Sequence, residues 1–331
     1  MQNKQWHVLL TGLLSIVFVL WLSPQAVFAD IDNLSVTPVV ANSDVTDRFE
    51  IVGKPGETRK LTISFTNTGT GAQALRVVPT NASTSLTGEF TYGTPVKSNH
   101  YGLPFNFNAA TQTKDVTVPA SGSKDVTFKV KLPESKFTGL VIGGFHIMSA
   151  ADVTQYVDIP VWLTMTNDLP SPKLMFMNLE GASHSSQTYL DLNIANMTAV
   201  ALNNVSYSFT ITSADLLSRV GINKRQYQAV KSDLKVAPNS LLTIPFNTHD
   251  AAIAAGKYEI KGTIKSNGQS WNINTNAVVD KQSADRANAK DPNLIRDYTL
   301  WFVLGILALV ILIGVVLSVI FVKPRHDKAK H

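Results

Sequence analysis

The stretch RKLTISFTNTG places Leu61, Ile63 and Phe65 on one side of an extended chain and Thr62, Ser64 and Thr66 on the other. A period of two is the mark of a half-buried strand, and Asn67-Thr68-Gly69 supplies the turn that ends it. ALRVVPT is its expected hairpin partner, and KDVTFKVKLP repeats the period through Val126, Phe128 and Val130. FTGLVIGGFHIMSA and YVDIPVWLTMT follow, the second burying Val157, Ile159, Val161 and Leu163, until NDLPSP breaks the pattern. Beyond the break come KLMFMNL, then NNVSYSFTIT, where Val205, Tyr207, Phe209 and Ile211 alternate with Ser206, Ser208, Thr210 and Thr212. LLTIPF, KYEIKGTIK and SWNINTNAV complete the set of predicted strands. Ala214 to Lys235 carries no firm period and is expected to be a partly helical connection.

The halves on either side of NDLPSP read as diverged copies. ISFTNTGTGAQALRVVP corresponds to LNIANMTAVALNNVSYSF, and VPASGSKDVTFKV to KVAPNSLLTIPF, a repeat of about 120 residues. Many short strands and almost no helical period predict an all-β chain with two tandem immunoglobulin-like antiparallel β-sandwich domains. The expected boundaries are 30–168 for the first and 169–280 for the second, with 281–297 as a polar juxtamembrane linker or short helix.

Two apolar runs break the two-residue period. Leu300 to Val322 holds 23 residues without a charge or proline, about 34 Å of helix, enough to cross a bilayer. Lys323, Arg325, Lys328 and Lys330 follow against a single Asp327, and basic flanks stay in the cytoplasm. Tyr298 and Trp301 stand where amphipathic rings favour the outer headgroups, so the membrane segment is taken as 298–322 and the cytoplasmic tail as 323–331. At the other end Lys4, the run Val8 to Leu22, Pro24 and Val27-Phe28-Ala29 read as a signal peptide, residues 1–29, cleaved after Ala29.

Charge changes meaning once these flanks are set aside. The whole chain has net charge +5, but Asp30 to Asp297 carries 24 Lys+Arg against 23 Asp+Glu. No basic patch stands out, which excludes nucleic acid as a partner. Cysteine is absent, so the exterior domains rest on ordinary cores, with no disulfide framework or thiol chemistry.

Candidate chemistry is sparse. The exterior histidines are His100, His146, His184 and His249, none in a zinc-ligand spacing, and no calcium-loop pattern occurs. His146 sits inside the apolar strand GGFHIM and is expected to be a packed, hydrogen-bonded side chain. No catalytic residue, metal site or cofactor is assigned, although a carboxylate pair assembled by folding leaves no mark in sequence. Gly139, Gly143 and Gly144 are expected to serve a bulge or tight packing ahead of a ligand's close approach. The turn-rich stretch EFTYGTPVKSNHYGLPFNFN offers Tyr92, Tyr101 and Phe105 as a candidate glycan- or protein-binding surface, weighed evenly against burial of the same rings.

RKLTISFTNTGTGAQALRVVPTNA, FTGLVIGGFHIM, YVDIPVWLTMTNDLPSPKL, VAPNSLLTIPF, AGKYEIKGTIKS, SWNIN and the terminal apolar helix together resemble the WxL-interacting proteins of Gram-positive bacteria. The resemblance implies a peptidoglycan-binding first domain, a host-binding second domain, and partnership with surface proteins bearing Trp-x-Leu motifs and with host extracellular-matrix proteins. It also implies a single-span protein of the Gram-positive cell membrane, its ectodomain outside and its C-terminus cytoplasmic. The chain has no Trp-x-Leu triplet of its own. A non-enzymatic surface scaffold is therefore expected, with a wall-acting hydrolase or a binding subunit of a transport system as the alternatives.

Overall fold

The computed structural model describes residues 31–40, 44–93, 101–215, 218, 224–295 and 298–321. The expected signal peptide with its cleavage point, His100 and the basic tail lie outside the described residues.

In the first half, β1 (Leu34–Val39), β3 (Thr58–Asn67) and β8 (Gly122–Lys131) form an antiparallel sheet in the order β1-β3-β8. A second sheet contains β2 (Phe49–Val52), β4 (Gln73–Asn81), β7 (Lys114–Val118), β9 (Leu140–Ser149) and β10 (Tyr156–Thr164). Its order is β2-β10-β9-β4-β7, with β2 parallel to β10. The inward positions expected from the alternation meet between the sheets: Ile63, Phe65, Phe128 and Val130 are all fully buried. Phe145 is the hub, with Phe128, Phe107 and Phe49 at ring-centroid distances of 4.5, 5.4 and 6.4 Å. Phe107 opens a one-turn helix, α1 (Phe107–Ala110), capped by Asn106 and held by the buried Asn81, whose Oδ1 accepts from Phe107 N at 2.8 Å.

The glycines of β9 serve this packing. A Cβ on Gly143 would lie 2.5 Å from Phe107 Cγ, and one on Gly144 would lie 2.4 Å from Tyr92 Cδ1. One ring covers each face of the strand, so the chain's own aromatics occupy the space that a ligand would need.

In the second half, β11 (Leu174–His184), β12 (Gln187–Asn196) and β15 (Leu241–Asn247) form a sheet in the order β11-β12-β15. Opposite it, β13 (Leu202–Ser213), β14 (Gln226–Val236), β16 (Gly256–Ser266) and β17 (Gln269–Val279) form a sheet ordered β14-β13-β16-β17. The two halves share one plan: β3, β4, β8, β9 and β10 of the first stand where β12, β13, β15, β16 and β17 stand in the second. β14 corrects the expectation of a partly helical connection for its second part, 226–235, while Ser218 in the first part is helical. β14 is an edge strand with two register shifts against β13, and solvent on most of its positions erases the alternation.

The polar segment after β17 is more than a linker. It forms α2 (Lys281–Asn288), N-capped by Asp280, whose side chain accepts from Ser283 N at 2.9 Å. Ala284 and Ala287 are buried, and Gly181 lets the helix backbone lie directly on β11. The buried Asp291 then accepts from Thr188 N at 3.0 Å. This short apolar stripe was hidden among charged residues. After it, α3 (Thr299–Phe321) leaves the sandwich, and its window Trp301–Ser318 has mean hydropathy 2.9 with none of it buried.

A hairpin of β5 (Ser83–Thr84) and β6 (Phe90–Thr91) joins the halves. Thr84 Oγ1 meets Ser240 Oγ at 2.7 Å and accepts from Ala237 N at 3.0 Å, while Lys235 pairs with Glu89 at 2.8 Å. Ala82, Tyr92 and Ile142 pack with Ala237 in a small apolar seam.

Candidate functional site

On β10 the residues that do not enter the core are Tyr156, Asp158, Pro160 and Trp162, and strand geometry sends all four to the outer face of the five-stranded sheet. The register sets Asp158 opposite His146 of β9. Their side chains meet, His146 Nδ1 to Asp158 Oδ1, at 2.6 Å, and the His146 ring lies 4.8 Å from that of Tyr156. At the other end of the row the Arg48 guanidinium covers Trp162 at 4.5 Å from its ring centre. Arg48 also donates to Glu50 Oε1 at 2.6 Å and to Asp47 at 3.2 Å, which fixes the cation over the ring.

Tyr92 closes this face from above, its ring seated on Gly144. Burial, and after it the charge of Asp158, pushes its hydroxyl well above the ordinary tyrosine range, with Arg48 pulling the other way. Tyr156, half-buried, is raised by the same two causes. The result is a strip of half-open aromatic rings interleaved with a carboxylate, an imidazole and a guanidinium. Such strips suit sugar rings, which stack on aromatic faces and hydrogen-bond at their edges. Among the described residues the His146 side chain is held by Asp158. No cluster of potential metal ligands occurs among those residues.

The three rings expected to form a binding surface are not arranged as one. Tyr92 and Phe105 are 6% and 7% exposed, and Phe105 belongs to the core of the first sandwich. Tyr101 is half-buried, with its backbone oxygen accepting from Asn239 Nδ2 at 2.7 Å. Aromatic rings in a turn-rich stretch found better company inside than in water. The outward set Tyr156, Asp158 and Trp162 was missed, yet its signal was in the sequence: fixing Val157, Ile159, Val161 and Leu163 inward fixes the intervening residues outward. His146 is the packed, hydrogen-bonded side chain expected of it.

The second sandwich has a polar counterpart on its three-stranded sheet. Asn193 Nδ2 donates to Asn178 Oδ1 at 2.8 Å and Glu180 Oε1 at 2.9 Å, and its Oδ1 accepts from Thr243 at 2.7 Å. His184 Nε2 lies 2.8 Å from Asp191. Burial raises the Asp191 carboxyl above its ordinary value, His184 opposes that shift, and Glu180 adds to it. These are two separate hydrogen-bonded groups on one sheet, each pairing its own polar atoms.

Comparison with known proteins now adds to the geometry. Residues 34–149 match the family described as WxL Interacting Protein, peptidoglycan binding domain. Residues 154–289 match WxL Interacting Protein, host binding domain. The junction between the matches falls just before β10, a strand that pairs with β9 in the first sandwich. No curated protein matches the chain in sequence. Among solved structures, the Pseudomonas aeruginosa CupB2 chaperone aligns at 12% identity over 69% of this chain and 96% of its own, with a TM-score of 0.27. The class 5 fimbriae chaperone CfaA aligns at 10% identity over 74% and 99%, with the same TM-score. Overlaps this shallow carry no functional argument.

Proposed function

This chain belongs to the WxL-interacting protein family, and from that premise we propose that it is a scaffold of the Gram-positive cell surface, held by α3 in the membrane. The observation that carries the reading is the junction of two matched binding domains with an apolar helix of 23 residues whose described side chains find no cover in the protein. A bilayer covers such a helix, and the basic residues after it keep the C-terminus inside.

The first sandwich binds peptidoglycan through the strip Tyr156, Asp158 and Trp162 of β10, with His146 and Arg48 of the peptidoglycan-binding match holding the strip in shape. β10 lies inside the host-binding match and nevertheless pairs into the sheet of the first sandwich. The second sandwich, which carries α2 with it, meets host proteins, and the protein as a whole holds partners bearing Trp-x-Leu motifs. In this reading the chain divides near Asp168, and the seam around Ala237 limits how far the two domains bend against each other.

Co-sedimentation of the full chain, in non-ionic detergent, with purified peptidoglycan tests the wall assignment. Wild type should pellet, and Tyr156→Ala and Trp162→Ala should remain in solution while melting close to wild type. Absence of pelleting by wild type refutes peptidoglycan binding; undiminished pelleting of both variants refutes this strip as its site. Capture of a Trp-x-Leu protein from wall extract tests the partnership separately.

A further inference from the structure

The first sandwich is open on one side, where β7 ends the five-stranded sheet and β8 ends the three-stranded one. Side chains bridge the gap: Lys114 Nζ donates to Thr127 O at 2.6 Å and Lys124 Nζ to Thr117 O at 3.1 Å. Beside these bridges lies a cleft of about 530 Å³ lined in part by Thr58, Gln112, Lys114, Thr127, Lys129 and Lys131. Lys60 stands at its rim, directly opposite Lys129 in the β3–β8 register.

Like charges facing each other across a strand pair destabilise a sheet. Here the surroundings leave the repulsion in place. Glu134 pairs with Lys131 at 3.1 Å, Glu57 pairs with Arg59, and Asp115 lies toward Arg76 at 3.9 Å. Asp125 faces Ser64, further along the ladder. Lys60 and Lys129, both exposed, have no ion-pair partner among the described residues. The lining contains no arginine, the residue whose planar fork suits a carboxylate; lysine ammoniums act as point charges, which suit phosphate oxygens. From the lysines the same face continues with Thr62 and Thr127 in contact at 2.8 Å and Thr66 and Ser123 at 3.0 Å. Between these two hydroxyl pairs stand Ser64 and the exposed Asp125 carboxylate, an acceptor for polyol hydroxyls.

We propose that this cleft and the adjoining hydroxyl pairs bind a polyol phosphate polymer, the phosphodiesters lying among Lys60, Lys129 and Lys131 and the polyol hydroxyls along the threonines. The site is on a different sheet from the proposed peptidoglycan strip and stands or falls independently of it.

The probe is synthetic poly(glycerol phosphate), titrated into the full chain in non-ionic detergent, with polyglutamate of equal charge as the comparison. The double variant Lys60→Gln/Lys129→Gln should weaken binding about tenfold, as loss of two charged contacts at the surface implies. It should also melt no lower than wild type without ligand, because it removes a repulsion. Lys60→Glu, which turns the pair attractive, should raise the melting temperature and suppress binding. Polyglutamate should bind about tenfold more weakly than the phosphate polymer. Unchanged affinity in both lysine variants, or equal affinity for the two polymers, overturns the proposal.

Discussion

Asn67 and Asn196 end equivalent strands of the two sandwiches and make equivalent hydrogen bonds. Asn67 Nδ2 donates to Gly71 O at 2.8 Å and across the fold to Pro119 O at 3.1 Å, while its Oδ1 accepts from Gly69 N at 2.9 Å. Asn196 Nδ2 donates to Val200 O at 2.8 Å and across to Ala237 O at 3.0 Å, and its Oδ1 accepts from Thr198 N at 3.2 Å. Both side chains are buried. Each ties the turn after its strand to the strand entering the neighbouring β8 or β15, where the chain would otherwise bury unpaired carbonyls.

Replacing either asparagine by alanine should therefore cost about 2–3 kcal/mol, since buried acceptors lose their donor. Aspartate should be worse, because a carboxylate cannot donate to those carbonyls. Urea denaturation of Asn67→Ala, Asn196→Ala and the two aspartate variants checks the order; an aspartate as stable as wild type contradicts it.

Gly144 and Tyr92 should behave as a coupled pair. Gly144→Ala pushes a methyl into the ring and is expected to cost about 1–3 kcal/mol by overpacking. In a Tyr92→Leu background the same change should cost much less, which a double-mutant cycle measures directly. Additive losses would mean that the ring does not rest on this glycine.

The tyrosine shift predicts a pH dependence. The Tyr92 hydroxyl holds its proton more tightly in the folded chain than in the unfolded one. Its share of stability is thus complete below about pH 10, the unfolded value, and is lost as pH rises toward the folded value. Urea midpoints should fall less steeply above that point in Tyr92→Phe than in wild type. Parallel profiles would deny the burial of this hydroxyl.

Removing the residues after Asp280 should destabilise the second sandwich. The truncated chain exposes the strand surface under Ala284 and Ala287 and takes away the Asp291 acceptor from Thr188, together about 3 kcal/mol. A fragment ending at Ile295 should melt above one ending at Asp280. Equal melting temperatures would reduce α2 to a linker.

Deleting Leu300 to His331 should release the protein into the medium, since α3 is the proposed anchor. Retention of the truncated chain in washed membranes would show a second attachment.

The sequence by itself determined the strands of the two cores, their inward residues and the duplication, because alternation records which face of a strand meets water. It likewise determined the apolar helix, whose length and lack of charge are local properties. It could not place Tyr92 and Phe105, since an aromatic ring in a turn-rich segment is buried or exposed according to what lies above it. A short helix after Asp280 was one of two readings of that segment, but its docking on the sandwich was illegible because the contacts come from small and polar residues, Ser283, Ala284, Ala287 and Asn288. β14 was illegible because an edge strand alternates weakly. Pairings such as Asp158 with His146, Arg48 with Trp162 and Lys60 with Lys129 come from sheet order and register. Those are set by how whole strands share a core, and only the tertiary structure decided them.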